Sequence, residues 1–266
     1  EGGRGVRRKD VLGFLRSLLF PPCCVSCGKR LPFTPGCPAP VLCPGCRQAL
    51  SREQVAFCPV CRLELRNCRC QPGLMEKAGA AGLLKLAFYS PDEAPALRRI
   101  LLRAKEHRLD RVFTCLSTEL SPVIEQFLAE DKIKNPDVPP FVLTYLPRSR
   151  ENRCLYGFDQ TAELSALLGK RLNLTCRSFL VRAKETGQQK KLNRMQRRRN
   201  VRGVFRVCGE VCGARILLLD DLVTTGASMA EAARTLLHAG AAEVVGVCVA
   251  VVPPKADPKK TFLQGL

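Results

Sequence analysis

RILLLDDLVTTGAS, residues 215–228, sets a strand, an acidic pair, a turn and the start of a helix one after another. Four apolar residues in a row, Ile216 to Leu219, suit a strand buried on both faces, as in a parallel sheet. Asp220 and Asp221 stand where that strand would emerge. A small, hydroxyl-rich turn follows, Thr224-Thr225-Gly226-Ala227-Ser228, and residues 229–239 read as a helix stopped by Gly240. The whole makes a cradle for a phosphate. Free N–H groups at a helix N-terminus attract an anion, and glycine lets it come close. Carboxylates at the mouth can accept hydrogen bonds from a ribose diol. The plain alternative is an ordinary strand-to-helix turn with two solvated acids. A Walker B strand shares the apolar-acidic pattern, but no GxxxxGK[ST] run accompanies it.

The surrounding chain has 266 residues, room for one large or two smaller domains, and its 46% hydrophobic content supports a real core. No apolar run approaches the roughly 18 residues of a membrane span. Residues 11–20 are apolar at helical spacing. They are too short to span a bilayer and lack a small-residue cleavage site, so they are expected to pack on the core, with a surface-lying helix as the alternative. The net charge of +19 favours anionic partners such as phosphorylated small molecules or nucleic acid. The densest basic stretch is 190–202; a solvated face is its plain reading. Tryptophan is absent and aromatics are sparse, which excludes a sequence-evident stacking platform for single strands.

Ten of the 16 cysteines fall between Cys23 and Cys70. Cys24 and Cys27 form one CxxC pair and Cys43 and Cys46 another; Cys58 and Cys61 form a third, followed by Cys68 and Cys70. Each set offers four thiolates, the number a tetrahedral structural zinc takes, and each set is closed to water. Two structural zinc sites are therefore expected, with Cys23 an alternative to Cys24. Such spacing implies a reducing, cytoplasmic setting rather than a secreted disulfide scaffold. A stretch this polar and proline-rich has little else to fold around.

Residues 71–82 are a small-residue connector, beyond which the segments lengthen. Strands are expected at 83–89, 141–146, 177–182 and 242–252, with helices at 95–105, 111–128 (interrupted near Pro122) and 160–172. Residues 131–140 read as a polar loop and 188–199 as a basic, mobile or helical segment. Strands alternate with helices, so the core is expected to be a parallel α/β sheet, with ligands beyond the carboxyl ends of its strands. The expected division is 1–76 (N-terminal helix and cysteine region), 77–252 (α/β domain) and 253–266 (tail).

The 215–228 run resembles the phosphoribosyl-diphosphate (PRPP) signature of type I phosphoribosyltransferases. Other motifs narrow the likeness: LFPPCCVSCG and the later cysteine pairs, ALRRILLRAKEHR with Lys105, LPRSRENRCLYGFDQ, and the ordered series Arg182, Thr186, Gln189, Leu192, Arg197, Asn200, Gly203 and Phe205. Together, over about 15–252, they resemble the ComF/GntX (competence protein F) family, in which a zinc ribbon precedes a phosphoribosyltransferase-like domain. The resemblance implies a type I phosphoribosyltransferase-like α/β fold. It implies PRPP as ligand, with Mg²⁺, and a link to DNA uptake. By that likeness Asp220 and Asp221 orient the ribose, Thr224, Thr225, Gly226, Ala227 and Ser228 hold the 5′-phosphate, and Lys105 and Arg150 neutralise the diphosphate. Asp220, Asp221 and Lys105 would then serve phosphoribosyl transfer.

Four positions depart from the family pattern: Tyr156 where Arg is expected, Asp159 for Asn, Arg148 for an apolar residue, and no glycine after Lys105. Arg148, Arg150 and Arg153 are candidates to replace the missing cation. Purine enzymes of this kind carry a carboxylate at the turn position held here by Thr224, which disfavours a 6-oxopurine acceptor. The histidines His107 and His238 read as surface residues. The alternative from a different class is a non-catalytic binding protein, handling single-stranded DNA with competence proteins or sensing PRPP.

Overall fold

The computed structural model describes residues 21–32, 40–90, 94–106, 108–183 and 202–253. The expected helix at 11–20, Cys37, His107, the basic segment 188–199 and the tail from 254 lie outside the described residues. In chain order the helices are α1 (Pro44–Gln54), α2 (Gly73–Lys77), α3 (Pro95–Glu106), α4 (Asp110–Lys134), α5 (Arg150–Tyr156), α6 (Gln160–Leu172) and α7 (Ala227–His238). The strands are β1 (Gly82–Phe88), β2 (Val142–Tyr145), β3 (Leu180–Arg182), β4 (Phe205–Val207), β5 (Arg215–Val223) and β6 (Glu243–Val251).

The four apolar strands make one sheet in the order β1-β6-β5-β2, every pair parallel. Parallel neighbours need crossover connections, and those connections put helices on both faces. One face, with Leu84, Leu217, Leu219 and Val247, is covered by Leu97, Ile100, Leu116 and Leu164 of α3, α4 and α6. The other, with Leu83, Ile216, Leu218 and Cys248, is covered by Met229, Ala233 and Leu236 of α7 and by Met75. The expected parallel α/β core is present, and β5 lies between two partners as its unbroken apolar run requires.

Five local expectations change. The helix expected to break near Pro122 runs through it as α4, from Asp110 to Lys134. Leu116, Leu120, Val123 and Ile124 are buried on either side, and this packing outweighs the roughly 3 kcal/mol that an interior proline costs. Its last turn replaces the start of the loop expected at 131–140, because Asp131 is clasped by Arg215 at 2.6 and 2.8 Å. The strand expected at 177–182 shortens to β3, which pairs antiparallel with β4, a strand too brief to announce itself by alternation. Short helix α2 lies within the stretch read as a connector, and α5 falls in a stretch to which the sequence pattern assigns no element. Finally, β5 continues through both aspartates to Val223 instead of ending before them.

The cysteine region lies against the sheet domain and grips it at named points. Glu53 of α1 accepts the N–H groups of Ala96 and Leu97, both at 2.9 Å, at the start of α3. Further along α3, Arg99 donates to Ser26 Oγ at 3.1 Å and Arg103 to the Cys24 carbonyl at 3.3 Å.

Candidate functional site

The acidic pair owes its accessibility to strand lengths. β2 pairs with β5 as far as Tyr145 opposite Leu219, and Pro147, with no N–H to donate, follows two residues later. β6 continues beside β5 to Val251. Asp220 and Asp221 therefore lie within β5 but past the end of β2. Successive strand residues face opposite sides. Asp221 meets Lys105 Nζ at 3.5 Å and the Gln160 side-chain amide at 2.8 Å, both on its Oδ2. Asp220 faces a cavity of about 240 Å³ at the carboxyl end of the sheet. It keeps some accessible surface because that cavity reaches it, yet it sits deep. Desolvation first, and the adjacent Asp221 carboxylate second, hold its pKa well above the ordinary carboxylate value, with Lys105 opposing. A cation or a pair of hydroxyls arriving here would relieve that strain.

The cavity brings together residues from several elements besides β5. Lys105 comes from the last turn of α3, Arg148 and Ser149 from the loop after β2, Gln160 from the start of α6, and Ser228 from the first turn of α7. Arg182 at the end of β3 also lines it, donating to the Pro147 carbonyl at 3.0 Å. Of the residues picked out in the sequence, Lys105, Arg148, Asp220 and Ser228 meet here, and Asp221 stands directly behind. Arg150 is exposed at the first position of α5 and does not line the cavity. Gln160 and Arg182 carried no separate signal in the sequence beyond their places in the quoted runs.

Three of the four departures from the family pattern turn out to touch one another. The Arg148 guanidinium stacks 4.3 Å above the Tyr156 ring centroid, and Nη2 donates to the Lys105 carbonyl at 3.1 Å. The Arg148 backbone N–H donates to Asp159 at 2.7 Å. Asp159, an acceptor-only side chain, also takes the Thr161 N–H and hydroxyl as it caps α6. Among the described residues, Arg148 Nη1 and Gln160 Oε1 are buried polar atoms with no partner. Burial lowers the Arg148 pKa, opposed by Tyr156, Asp159 and Asp221.

The turn after β5 has a backbone reason for its glycine. Gly226 sits at φ +74°, in the left-handed region, and leads directly into α7 with no side-chain cap. The α7 N–H groups are left for another acceptor, and the Thr225 hydroxyl accepts from Ala227 N–H at a long 3.4 Å. Packing adds a second reason that the sequence did not suggest. A Cβ at Gly226 would lie 2.8 Å from Pro72 Cβ and 3.3 Å from Met75 Cγ.

Both cysteine sets assemble as expected. The thiols of Cys24, Cys27, Cys43 and Cys46 lie within 4.8 Å of one another, as do those of Cys58, Cys61, Cys68 and Cys70. A Zn–S bond of about 2.3 Å gives a tetrahedron edge of about 3.8 Å, and Cys27 and Cys43 Sγ stand 3.8 Å apart. Cys23 stays outside the first group, its thiol near the Pro21 carbonyl. Burial opposes ionisation of Cys24, but N–H groups of Cys27, Cys43 and Ser26 outweigh it and lower the thiol to about 6. Cys58 is lowered to about 7 against burial, chiefly by the Cys61 and Val60 N–H groups. Burial raises Cys46 to about 11 and also raises Cys68 and Cys70, so it is the four thiols and their close approach that fit each set to zinc.

The phosphoribosyl transferase domain family matches residues 164–263. Curated proteins named DNA utilization protein YhgH match most of the chain. That of Escherichia coli (strain K12) is 28% identical over 211 residues, covering 78% of this chain and 89% of the relative. Over most of its length the chain is similar to these proteins, in line with its resemblance to the ComF/GntX family. Its two four-cysteine clusters are consistent with a zinc-ribbon region, and its parallel sheet flanked by helices with a type I phosphoribosyltransferase-like domain. The chain also shares a local stretch with an adenine phosphoribosyltransferase. It is 57% identical over 44 residues to adenine phosphoribosyltransferase of Treponema pallidum, which is 16% of this chain and 23% of that protein. Among solved structures, hypoxanthine phosphoribosyltransferase from Trypanosoma cruzi is 15% identical with a TM-score of 0.34, covering 53% of this chain and 79% of that one. Glutamine PRPP amidotransferase from B. subtilis is 17% identical with a TM-score of 0.32, covering 58% of this chain and 27% of that one. Among the described residues no helix is long and apolar enough to cross a membrane.

Proposed function

We propose that the protein binds PRPP together with Mg²⁺ at the carboxyl end of its sheet. One observation carries this reading: Lys105, Arg148, Asp220 and the first turn of α7 converge on a single cavity, with Asp221 behind it. Asp220 and Asp221 take the ribose hydroxyls. Thr224, Thr225, Gly226, Ala227 and Ser228 take the 5′-phosphate with N–H and hydroxyl donors. Lys105 and Arg148 take the diphosphate, and Arg150 stands ready at the rim. The carboxylates are hard oxygen donors suited to Mg²⁺, which would neutralise diphosphate charge when bound. With an acceptor present, the anomeric C–O bond to diphosphate breaks as the bond to the acceptor forms. The chain's part in that transfer is positioning and electrostatic stabilisation by these same groups.

Titration calorimetry with PRPP and Mg²⁺ tests the binding. The zinc-loaded protein should bind, and Asp220→Asn combined with Asp221→Asn should abolish the heat. A folded wild type that fails to bind ends this reading.

The relatives' naming for DNA utilization and the net charge of +19 support a role tied to DNA uptake. They equally support a second reading, a non-catalytic protein that handles single-stranded DNA or senses PRPP. Oligonucleotide binding that weakens steeply with salt and with neutralisation of Arg197, Arg198 and Arg199 would favour it. Diphosphate release dependent on Asp221 would favour the transferase.

A further inference from the structure

The second cysteine centre is tied to the phosphate turn by a short, fully packed path. Lys85 of β1 is 2% exposed, yet it is satisfied: Nζ donates to the carbonyls of Cys68 at 3.2 Å, Cys70 at 2.8 Å and Leu83 at 3.2 Å. A zinc held by four thiolates carries net negative charge, and a buried ammonium on the backbone of two of its ligands balances part of it. Lys85 thus fixes the position of Cys70 relative to the sheet.

Two residues after Cys70 comes Pro72, which opens α2 and receives the Met75 N–H at 2.8 Å. Pro72 and Met75 pack into a notch made by two glycines. At Gly226 in the turn, a Cβ would approach Pro72 to 2.8 Å; at Gly246 on β6, one would approach Met75 Cε to 2.8 Å and Met229 Sδ to 2.7 Å. Met229 belongs to the first turn of α7, immediately after Ser228. The connector from the second centre is therefore wedged beneath the residues proposed to hold the phosphate. A close-packed wedge transmits displacement, because there is no void to absorb it.

We infer that zinc at Cys58, Cys61, Cys68 and Cys70 holds the 224–228 turn in its anion-binding form through Lys85 and the Pro72–Met75 wedge, so that occupancy of this centre regulates the cavity. The inference rests on the PRPP reading for its consequence, but the coupling itself is a property of the turn. Coupling between two sites is reciprocal: a ligand that the metal helps to bind must raise the affinity for that metal by the same factor.

The full chain, loaded at both centres, is followed by amide hydrogen exchange, zinc release to a chromogenic chelator, and calorimetry with PRPP and Mg²⁺. Cys58→Ser should lose one zinc of two and speed exchange across 224–230 about tenfold or more, leaving α3 unchanged because the first centre holds it. PRPP affinity should fall by a similar factor, and in wild type PRPP should slow release of one zinc only. Pro72→Gly keeps all eight ligands and should show faster exchange in the turn with both zincs retained. Lys85→Met should release the second zinc faster. Unchanged exchange at 224–230 in both the Cys58→Ser and Pro72→Gly proteins overturns the coupling. So does an equal rise in every element, which would make the centre a general stabiliser. If wild type binds no PRPP, the binding reading fails, while the exchange data still decide the coupling.

Discussion

Replacing Gly226 by alanine tests the wedge most directly, because the structure gives two separable costs. The first is conformational: at φ +74° an L-residue loses roughly 1–2 kcal/mol. The second is steric: the new methyl would sit 2.8 Å from Pro72 Cβ and 3.0 Å from Pro72 Cγ. These are ring atoms that cannot swing away, and overpacking of this kind costs about 1–3 kcal/mol. The sum, about 2–5 kcal/mol, corresponds to a fall in Tm on the order of 5–20 °C for a chain of this size. Thermal unfolding of the zinc-loaded protein reads the total, and a double-mutant cycle with Pro72→Gly divides it. With the proline ring gone, only the conformational cost should remain, so a favourable coupling of about 1–3 kcal/mol is expected. A loss under about 1 kcal/mol for Gly226→Ala, or a cycle that closes with no coupling, would refute the claim that Pro72 is what the turn is built against. PRPP affinity measured on the same variants should fall with Gly226→Ala and recover in part in the double variant.

Asp220→Asn should stabilise the ligand-free protein by about 0.5–2 kcal/mol at neutral pH while weakening PRPP binding, as expected where function maintains an unfavourable charge. The sign follows from its raised pKa: the folded state holds the proton more tightly than the unfolded chain, so wild-type stability falls as pH rises above the ordinary carboxylate value, and the gain from asparagine should vanish near pH 3. Tyr156→Leu removes the surface on which Arg148 stacks; at about 0.5–2 kcal/mol for such a contact, diphosphate affinity should drop several-fold in calorimetry, whereas an unchanged affinity would show that Arg148 needs no platform. Glu53→Ala should cost about 1–2 kcal/mol in urea unfolding, since it deprives the first turn of α3 of a carboxylate that takes two N–H groups.

What the sequence made legible was whatever is local. The apolar run before Asp220, the glycine turn and the CxxC spacings each express a rule that operates within a few residues. Strand, turn and metal knuckles accordingly came out where expected. Lys105 is reached through the resemblance of the run ALRRILLRAKEHR to the family pattern, not through a local rule. The rest depends on contacts across long separations. Lys85 reads as an ordinary strand residue, and nothing near it announces that three carbonyls will enclose its ammonium. Gln160 meets Asp221 across 61 residues. Pro122 signals a break that holds in isolated helices and fails where a buried stripe on both sides keeps the helix packed. β5 runs through its aspartates because backbone pairing with β6 does not ask whether the side chains are apolar.

The departures from the family pattern illustrate the same point at the site. Taken singly, Tyr156 in place of arginine removes a cation, Arg148 introduces one, and Asp159 looks like a conservative exchange. In the folded chain they form one unit: Asp159 receives the Arg148 N–H, and the Arg148 guanidinium lies on the Tyr156 ring. A positive charge has in effect been moved from the short α5 helix to the loop after β2, where it lines the cavity beside Lys105. The two cysteine centres bear on opposite sides of this arrangement. The first, through Ser26 and Cys24, grips the helix whose last turn delivers Lys105. The second, through Lys85 and Pro72, supports the turn that faces it. On the proposed PRPP reading, the cations and the turn N–H groups converge on one ligand from different elements. Anchoring each side to its own rigid four-thiolate node fixes their separation without any direct bond between them, and that gives a chain of this kind a physical reason to carry two such nodes.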